Sequence, residues 1–218
     1  MKRHKLRLPA GGGAVNAALT RLAANPGLDN EWYVQILGAF CFKVFSEYLL
    51  LKSDYERKQA DDASLLAWRA RNLLELSVWC IYLSKRRENA RRLYEDAGRD
   101  ALELFNAIET WGKANEQPAD WFESTASGKL GLSERAASEG IKTLDGSYKV
   151  HNAAKECGME SHFRLSFKLL SKFAHPTAMQ LLAPPNESKA QLQRDYFFSE
   201  GCLFFTGAFG VLESLVVS

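Results

Sequence analysis

The stretch NLLELSVWCIYL, residues Asn72–Leu83, decides the fold of this chain. Its apolar residues cover nearly the whole circumference of a helix, and Glu75 is its only charged residue. A helix that is apolar on all sides has to be buried by its neighbours. We therefore predict that it forms the middle of a longer central helix, ASLLAWRARNLLELSVWCIYLSKRR.

Helical periodicity continues on both sides of this central helix, and no strand-like alternation accompanies it. The sequence predicts a short helix in AVNAALTRLAAN and long helices over 31–54 and 88–113. Two closing helices follow, one from about Met159 to His175 and one from about Lys189 to the end. Pro26-Gly27 and the stretch APPNES are breaks between helices. The predicted fold class is all-α, an antiparallel helical bundle with a loop-rich middle segment.

We expect one helical domain over residues 1–218, a length that suits a single core. Residues 1–28 form an N-terminal arm and short helix, 29–113 three long helices, 114–158 a loop-rich insert and 159–218 two closing helices. The insert is predicted from its content of one proline and five glycines. Short helices are expected within it at ADWFESTA and SERAASEGIKTL.

Charge and cysteine usage favour an ordinary soluble protein. The chain has 28 basic and 26 acidic side chains, a formal net charge of +2, so it does not demand a polyanionic partner. The basic tip MKRHKLR fits a solvated terminus or a contact with nucleic acid. Four widely separated cysteines without a C-x-x-C motif favour a reduced, cytoplasmic setting and no structural zinc. No cofactor and no metal are predicted.

The C-terminal segment GCLFFTGAFGVLESLVV is strongly apolar, but only twelve uncharged residues lie between Glu200 and Glu213. That is too short to cross a bilayer, so we predict a core helix and no membrane association. Gly201, Gly207 and Gly210 would permit close helix contact, and the same helix is our candidate for a homodimer interface.

Five residues on the central helix recur at helical spacing: Trp68, Arg71, Glu75, Trp79 and Tyr82. A buried carboxylate at position 75 needs a partner, and Arg71 is one turn away at i,i+4 spacing. Two interpretations stay open. The pair is a salt bridge that orients two helices, or the stripe is one wall of a polar cleft.

A second polar stripe lies on the helix that ends at His175. Arg164, Lys168 and Ser171 precede the histidine at helical spacing, and Pro176 predicts that His175 is at the helix end. There the helix dipole favours a protonated imidazole. The stripe is either a solvated face or a site that faces Glu75.

The segments ARNLLELSVWCIYL and FRLSFKLLSKFAHPTA resemble a family of bacterial helical proteins of unknown function, over roughly residues 65–180. The resemblance consists of an Arg-x3-Glu motif and a Ser-x3-His-Pro motif, and it implies that Arg71, Glu75, Ser171 and His175 belong to one site. We take Glu75 and His175 as catalytic candidates. Arg71, Lys168 and Ser171 are the ligand-binding candidates.

A more distant resemblance is to HEPN domains (higher eukaryotes and prokaryotes nucleotide-binding), helical bundles that include metal-independent ribonucleases. Their signature has an arginine five to seven residues before a histidine. No histidine here has one, and Lys168, seven residues before His175, is the nearest substitute. Two functions are therefore carried forward: a ligand- or partner-binding module linked to stress or phage defence, and an RNA-acting nuclease or toxin. The cluster from Tyr94 to Asp100 is expected to be a charged, solvated helix face.

Overall fold

A computed structural model describes residues 31–57, 62–141, 148–175 and 186–217, with the single positions 17, 20 and 182. Within these residues the chain is helical and has no strand, which confirms the all-α fold class. The helices are α1 (Glu31–Glu56), α2 (Asp62–Lys85), α3 (Arg87–Ala114), α4 (Ala119–Ser138), α5 (Val150–Glu156), α6 (Glu160–Ala174) and α7 (Glu187–Val217). The predicted N-terminal helix lies outside the described residues.

The chain forms two compact units, one of residues 1–87 with 150–218 and one of residues 88–149. In the first, which we call the main bundle, α2 packs against α1, α5, α6 and α7. The segment Asn72–Leu83 is central as predicted, because its leucines are buried on several sides of the helix. Tyr82 is almost fully buried, so it belongs to the core and not to a cleft wall. The expectation of one domain over the whole chain stays a prediction.

Helix α1 runs antiparallel to α7. Leu37, near the start of α1, packs in one cluster with Leu212 near the end of α7. At the other end, the Tyr55 hydroxyl donates to Asp195 Oδ1 at 2.7 Å. The long closing helix predicted from Lys189 to the end therefore completes the core of the main bundle.

The second unit is a hairpin of α3 and α4, and it differs from the predicted loop-rich insert. The two short helices expected there are one continuous helix, α4. Gly128 lies inside α4, where Phe105 of α3 packs against it, so that a Cβ would come within 2.6 Å of the ring. Trp121 of α4 packs against Gly112 of α3 in the same way, and a Cβ added at position 112 would lie 2.7 Å from the indole Nε1. These glycines serve close packing of two helices and do not end them.

One described helix, the Tyr33–Glu56 part of α1, has the length and apolar composition of a membrane span. Core helices of soluble proteins pass the same test, and this helix carries the buried carboxylates Glu47 and Asp54. The C-terminal helix, singled out in the sequence as strongly apolar, is not among the candidate spans in the described part of the chain.

Candidate functional site

Arg71 is the centre of the candidate site, where α2 meets the end of α6. Its Nε donates a hydrogen bond to Glu75 Oε1 at 3.1 Å, and its Nη1 lies 3.0 Å from His175 Nε2. The structure therefore brings together three of the predicted site residues, although Arg71 and His175 are 104 positions apart in sequence. Arg71 retains 23% side-chain exposure, so the site is open to solvent.

Phe167 was not among the predicted site residues, yet it holds the guanidinium of Arg71 from one side. The guanidinium carbon lies 4.5 Å from the centre of the Phe167 ring, in a cation–π contact. Phe167 and Ser171 share a face of α6 at i,i+4 spacing, and His175 follows four residues later at the C-terminal end of the helix. That spacing was the available signal. The stripe predicted from the sequence contained Lys168 and not Phe167, because it included polar residues only.

The position of His175 follows from its neighbour Pro176. The backbone of His175 is extended, with φ −116° and ψ 145°, as expected for a residue before proline at a helix end. A guanidinium can only donate, so the imidazole Nε2 that faces Arg71 must be the acceptor. The contact therefore depends on the tautomer of His175, with Nε2 as the acceptor.

Ser171 and Lys168 differ in their environment. The Ser171 Oγ is buried and has no hydrogen-bond partner among the described residues. Lys168 is exposed, and no hydrogen bond or ion pair joins it to another described residue. The structure therefore places Ser171 on the face of α6 that carries Phe167 and His175, and it leaves Lys168 outside the set of residues that contact Arg71.

Glu75 is less buried than its apolar surroundings in sequence suggested. Its side chain keeps 31% exposure. One of the two interpretations of this pair was a partly buried salt bridge, and the structure shows Glu75 paired with Arg71 at 3.1 Å. The neighbouring turn of α2 leaves Trp68 exposed as well. This side of α2 is a partly open face and not a buried one.

The buried carboxylates of the main bundle lie elsewhere, on α1. Glu47 and Asp54 are nearly inaccessible, and Arg69 of α2 bridges them, with Nη1 3.3 Å from Glu47 Oε2 and Nε 3.1 Å from Asp54 Oδ2. Lys43 donates to Glu47 Oε1 at 2.8 Å, and Asn72 Nδ2 lies 3.4 Å from Glu47 Oε2. This buried charge network fixes α1 against α2.

Electrostatics in this network favour the ionised carboxylate. Burial raises the pKa of Glu47, but the hydrogen bond and charge of Lys43, the hydrogen bond of Asn72 and the charge of Arg69 outweigh it. The pKa of Glu47 therefore lies below its ordinary value. The Glu47 carboxylate is ionised and already bonded to Lys43, Asn72 and Arg69, so it does not offer its oxygens to a ligand. We therefore assign this network to stability and not to ligand binding.

The expected charged face on α3 is also revised. Asp96 is buried, and Arg99 Nη1 donates to its Oδ1 at 2.7 Å. Tyr94 accepts a hydrogen bond from Arg135 Nη2 of α4 at 2.6 Å.

Within the described residues, no group of three or more His, Cys, Asp or Glu side chains has an arrangement that could hold a metal ion.

Residues 33–186 match DUF5677, a family described as being of unknown function. The matched segment contains every residue of the candidate site. No curated protein and no solved structure matches the chain. An account of what the site does therefore has to start from its geometry.

Proposed function

We propose that this chain, which belongs to the DUF5677 family of unknown function, is a binding module for a small ligand that carries a phosphate or carboxylate group. The observation that supports the proposal is the fixed orientation of Arg71. Glu75, His175 and Phe167 hold its guanidinium from three directions while it stays partly exposed. A guanidinium held in this way is ready to receive an anion without further ordering.

The donors around Arg71 suit the oxygens of such a group. A guanidinium has five N–H groups, and two are used in the contacts with Glu75 and His175. The Ser171 hydroxyl has no hydrogen-bond partner among the described residues, and the imidazole of His175 lies beside Arg71. Paired N–H donors of arginine match the spacing of carboxylate and phosphate oxygens. We propose Arg71, Ser171 and His175 as the anion-contacting residues, with Lys168 adding positive charge at longer range.

Calorimetric titration with inorganic phosphate and with adenosine monophosphate tests this proposal. We expect binding to the native chain and a loss of about 10-fold or more for Arg71→Lys, which keeps the charge and loses the paired donors. Arg164→Gln is the matched control, because Arg164 is an exposed cation on α6. Equal weakening by both variants would show that only general positive charge matters, and would refute the site.

A second test asks whether Glu75 and His175 act as one unit through Arg71. Thermal unfolding of Glu75→Gln, His175→Ala and the double variant gives a coupling energy. We expect the two effects not to add, since both side chains share Arg71 as a partner. Simple additivity would show that the two residues are independent.

The alternative function is action on RNA as a HEPN-like ribonuclease. The specific observation in its favour is that an arginine and a histidine, the residue types of the HEPN signature, are 3.0 Å apart although the sequence spacing is absent. In this proposal Glu75 positions Arg71 and His175 transfers the proton. Cleavage of a labelled single-stranded RNA by the native chain, and its loss in His175→Ala, would support it. Intact RNA after prolonged incubation would reject it.

The setting of the protein is also a proposal. The described cysteines are free thiols, and burial raises the pKa of Cys41 to about 12, which suits an unreactive thiol in a reducing cytoplasm. A homodimer through α7 is supported by the exposed Leu203 beside the open positions Gly207 and Gly210. Sedimentation of the native chain and of Leu203→Glu would test the dimer. A role in stress or phage defence stays a prediction.

A further inference from the structure

The α3–α4 hairpin contains a cavity of about 190 Å³ that plays no part in the site at Arg71. Its walls are mostly apolar, and its polar end carries one tyrosine and one arginine. The lining residues that matter here are Tyr94, Gly98, Leu102, Leu132, Arg135 and Ile141.

Gly98 explains the shape of this cavity. The hairpin has two glycines that each receive an aromatic ring from the opposite helix, Gly112 with Trp121 and Gly128 with Phe105. Gly98 lies on α3 as well, but no described residue has an atom within 4 Å of the position that a Cβ would occupy. The opposite helix supplies no aromatic residue there. The hairpin thus has a third position suited to a ring, and no described residue fills it.

The volume limits the size of a ligand. Sites for drug-sized molecules enclose roughly 300–1,000 Å³, so this cavity suits a smaller ligand. An apolar cavity of about 150 Å³ is known to accommodate benzene. A volume of about 190 Å³ therefore corresponds to one ring with a small substituent.

The polar end selects the substituent. Arg135 donates from Nε to Glu139 Oε1 at 2.9 Å and from Nη2 to the Tyr94 hydroxyl at 2.6 Å. Its Nη1 has no hydrogen bond to another described residue, and the side chain is half exposed. The free N–H groups can hold a carboxylate through two parallel hydrogen bonds. Burial, together with the hydrogen bond and the charge of the Glu139 carboxylate, raises the pKa of Tyr94. The hydroxyl proton of Tyr94 is therefore directed to Glu139, and Arg135 carries the donors that face a ligand.

We propose that this cavity binds a small planar aromatic acid, with its ring against Gly98 and its carboxylate on Arg135. The unfilled glycine position accounts for the planar ring, and the arginine accounts for the acid. The site lies entirely in the hairpin unit, so it is independent of the function proposed for Arg71.

Ligand-observed nuclear magnetic resonance of the full chain with benzoate tests the proposal. Gly98→Leu fills the cavity, and we expect benzoate to bind about 5-fold to 100-fold more weakly to it. Gly131→Leu is the matched control, since Gly131 of α4 also has open space at its Cβ position but does not line the cavity. Benzoate should bind this control as it binds the native chain.

Two further probes separate shape from charge. Cyclohexanecarboxylate has the same charge and a puckered ring, so we expect it to bind less well than benzoate. Arg135→Gln should weaken benzoate and leave the neutral benzyl alcohol unchanged. Failure of benzoate to bind the native chain, or equal binding to Gly98→Leu and the native chain, would overturn the proposal. If circular dichroism shows that Gly98→Leu is unfolded, Gly98→Ala is used with the same criteria, because alanine favours the helix.

Discussion

Arg69 and Arg71 lie two positions apart on α2, and the structure gives them opposite roles. Arg69→Met removes the only cation that contacts both Glu47 and Asp54 among the described residues. The two carboxylates are 2% and 5% exposed, and the Arg69 side chain is 14% exposed. We expect this variant to lose stability, because two buried negative charges would remain with fewer partners.

The magnitude follows from burial. Removing one partner of a buried ion pair costs about 3–5 kcal/mol of unfolding free energy. Lys43 remains 2.8 Å from Glu47, and Arg57 remains 3.8 Å from Asp54, so the carboxylates are not left entirely unpaired. For a chain of this size each kcal/mol lowers Tm by about 2–4 °C. The expected decrease is therefore about 6–20 °C.

Arg71→Met is the matched comparison. Its ion pair with Glu75 is partly exposed on both sides, so we expect a loss of only about 0–1 kcal/mol, together with loss of anion binding. Urea unfolding of both variants measures the difference. Combining Arg69→Met with Glu47→Gln and Asp54→Asn should restore much of the stability, since no buried charge is then stranded. A loss under about 1 kcal/mol for Arg69→Met would refute this account of the network.

Three further predictions concern packing and charge. Gly201→Ala should destabilise the main bundle by about 1–3 kcal/mol in urea unfolding, because its Cβ would collide with the fully buried Leu51. Gly207→Ala, whose Cβ would lie in open space, should raise the stability by up to about 1 kcal/mol. Lys129 and Lys113 hold the pKa of Glu109 at about 2, below its ordinary 4.5. The contribution of Glu109 to hairpin stability is therefore present above pH 4.5 and is lost as the pH falls towards 2. Thermal unfolding of Glu109→Gln should lack that part of the acid dependence. Deleting residues 196–218 should give insoluble protein, as α7 supplies core side chains, and a soluble, helical truncation would contradict this.

Parts of the site could be predicted because they depend on local spacing. The i,i+4 relation of Arg71 and Glu75 and the helix end imposed by Pro176 on His175 both follow from sequence alone. The meeting of Arg71 with His175 depends on how α2 and α6 pack, which local periodicity does not contain. That Arg71, Glu75 and His175 form one functional site, as the motif resemblance implies, stays a prediction.

The buried network was missed for a different reason. Arg69 and Arg71 point about 200° apart around α2, and the sequence does not tell which of them faces α1. A charged residue inside an apolar run is expected to be buried, and the sequence singled out Glu75 on that ground. Glu47 lies in an equally apolar helix, and Glu47 is the carboxylate that the fold buries.

The aromatic rings seated on Gly112 and Gly128 have a consequence for how the chain can change over time. A side chain at position 112 would collide with Trp121, so that position can enlarge only if the tryptophan is first exchanged for something smaller. The same holds for Gly128 and Phe105. Each glycine and its ring should therefore vary together among homologues, glycine with a large ring and alanine or serine with a smaller partner. Such paired exchanges would preserve the register of the hairpin, whereas a single exchange would shift one helix along the other.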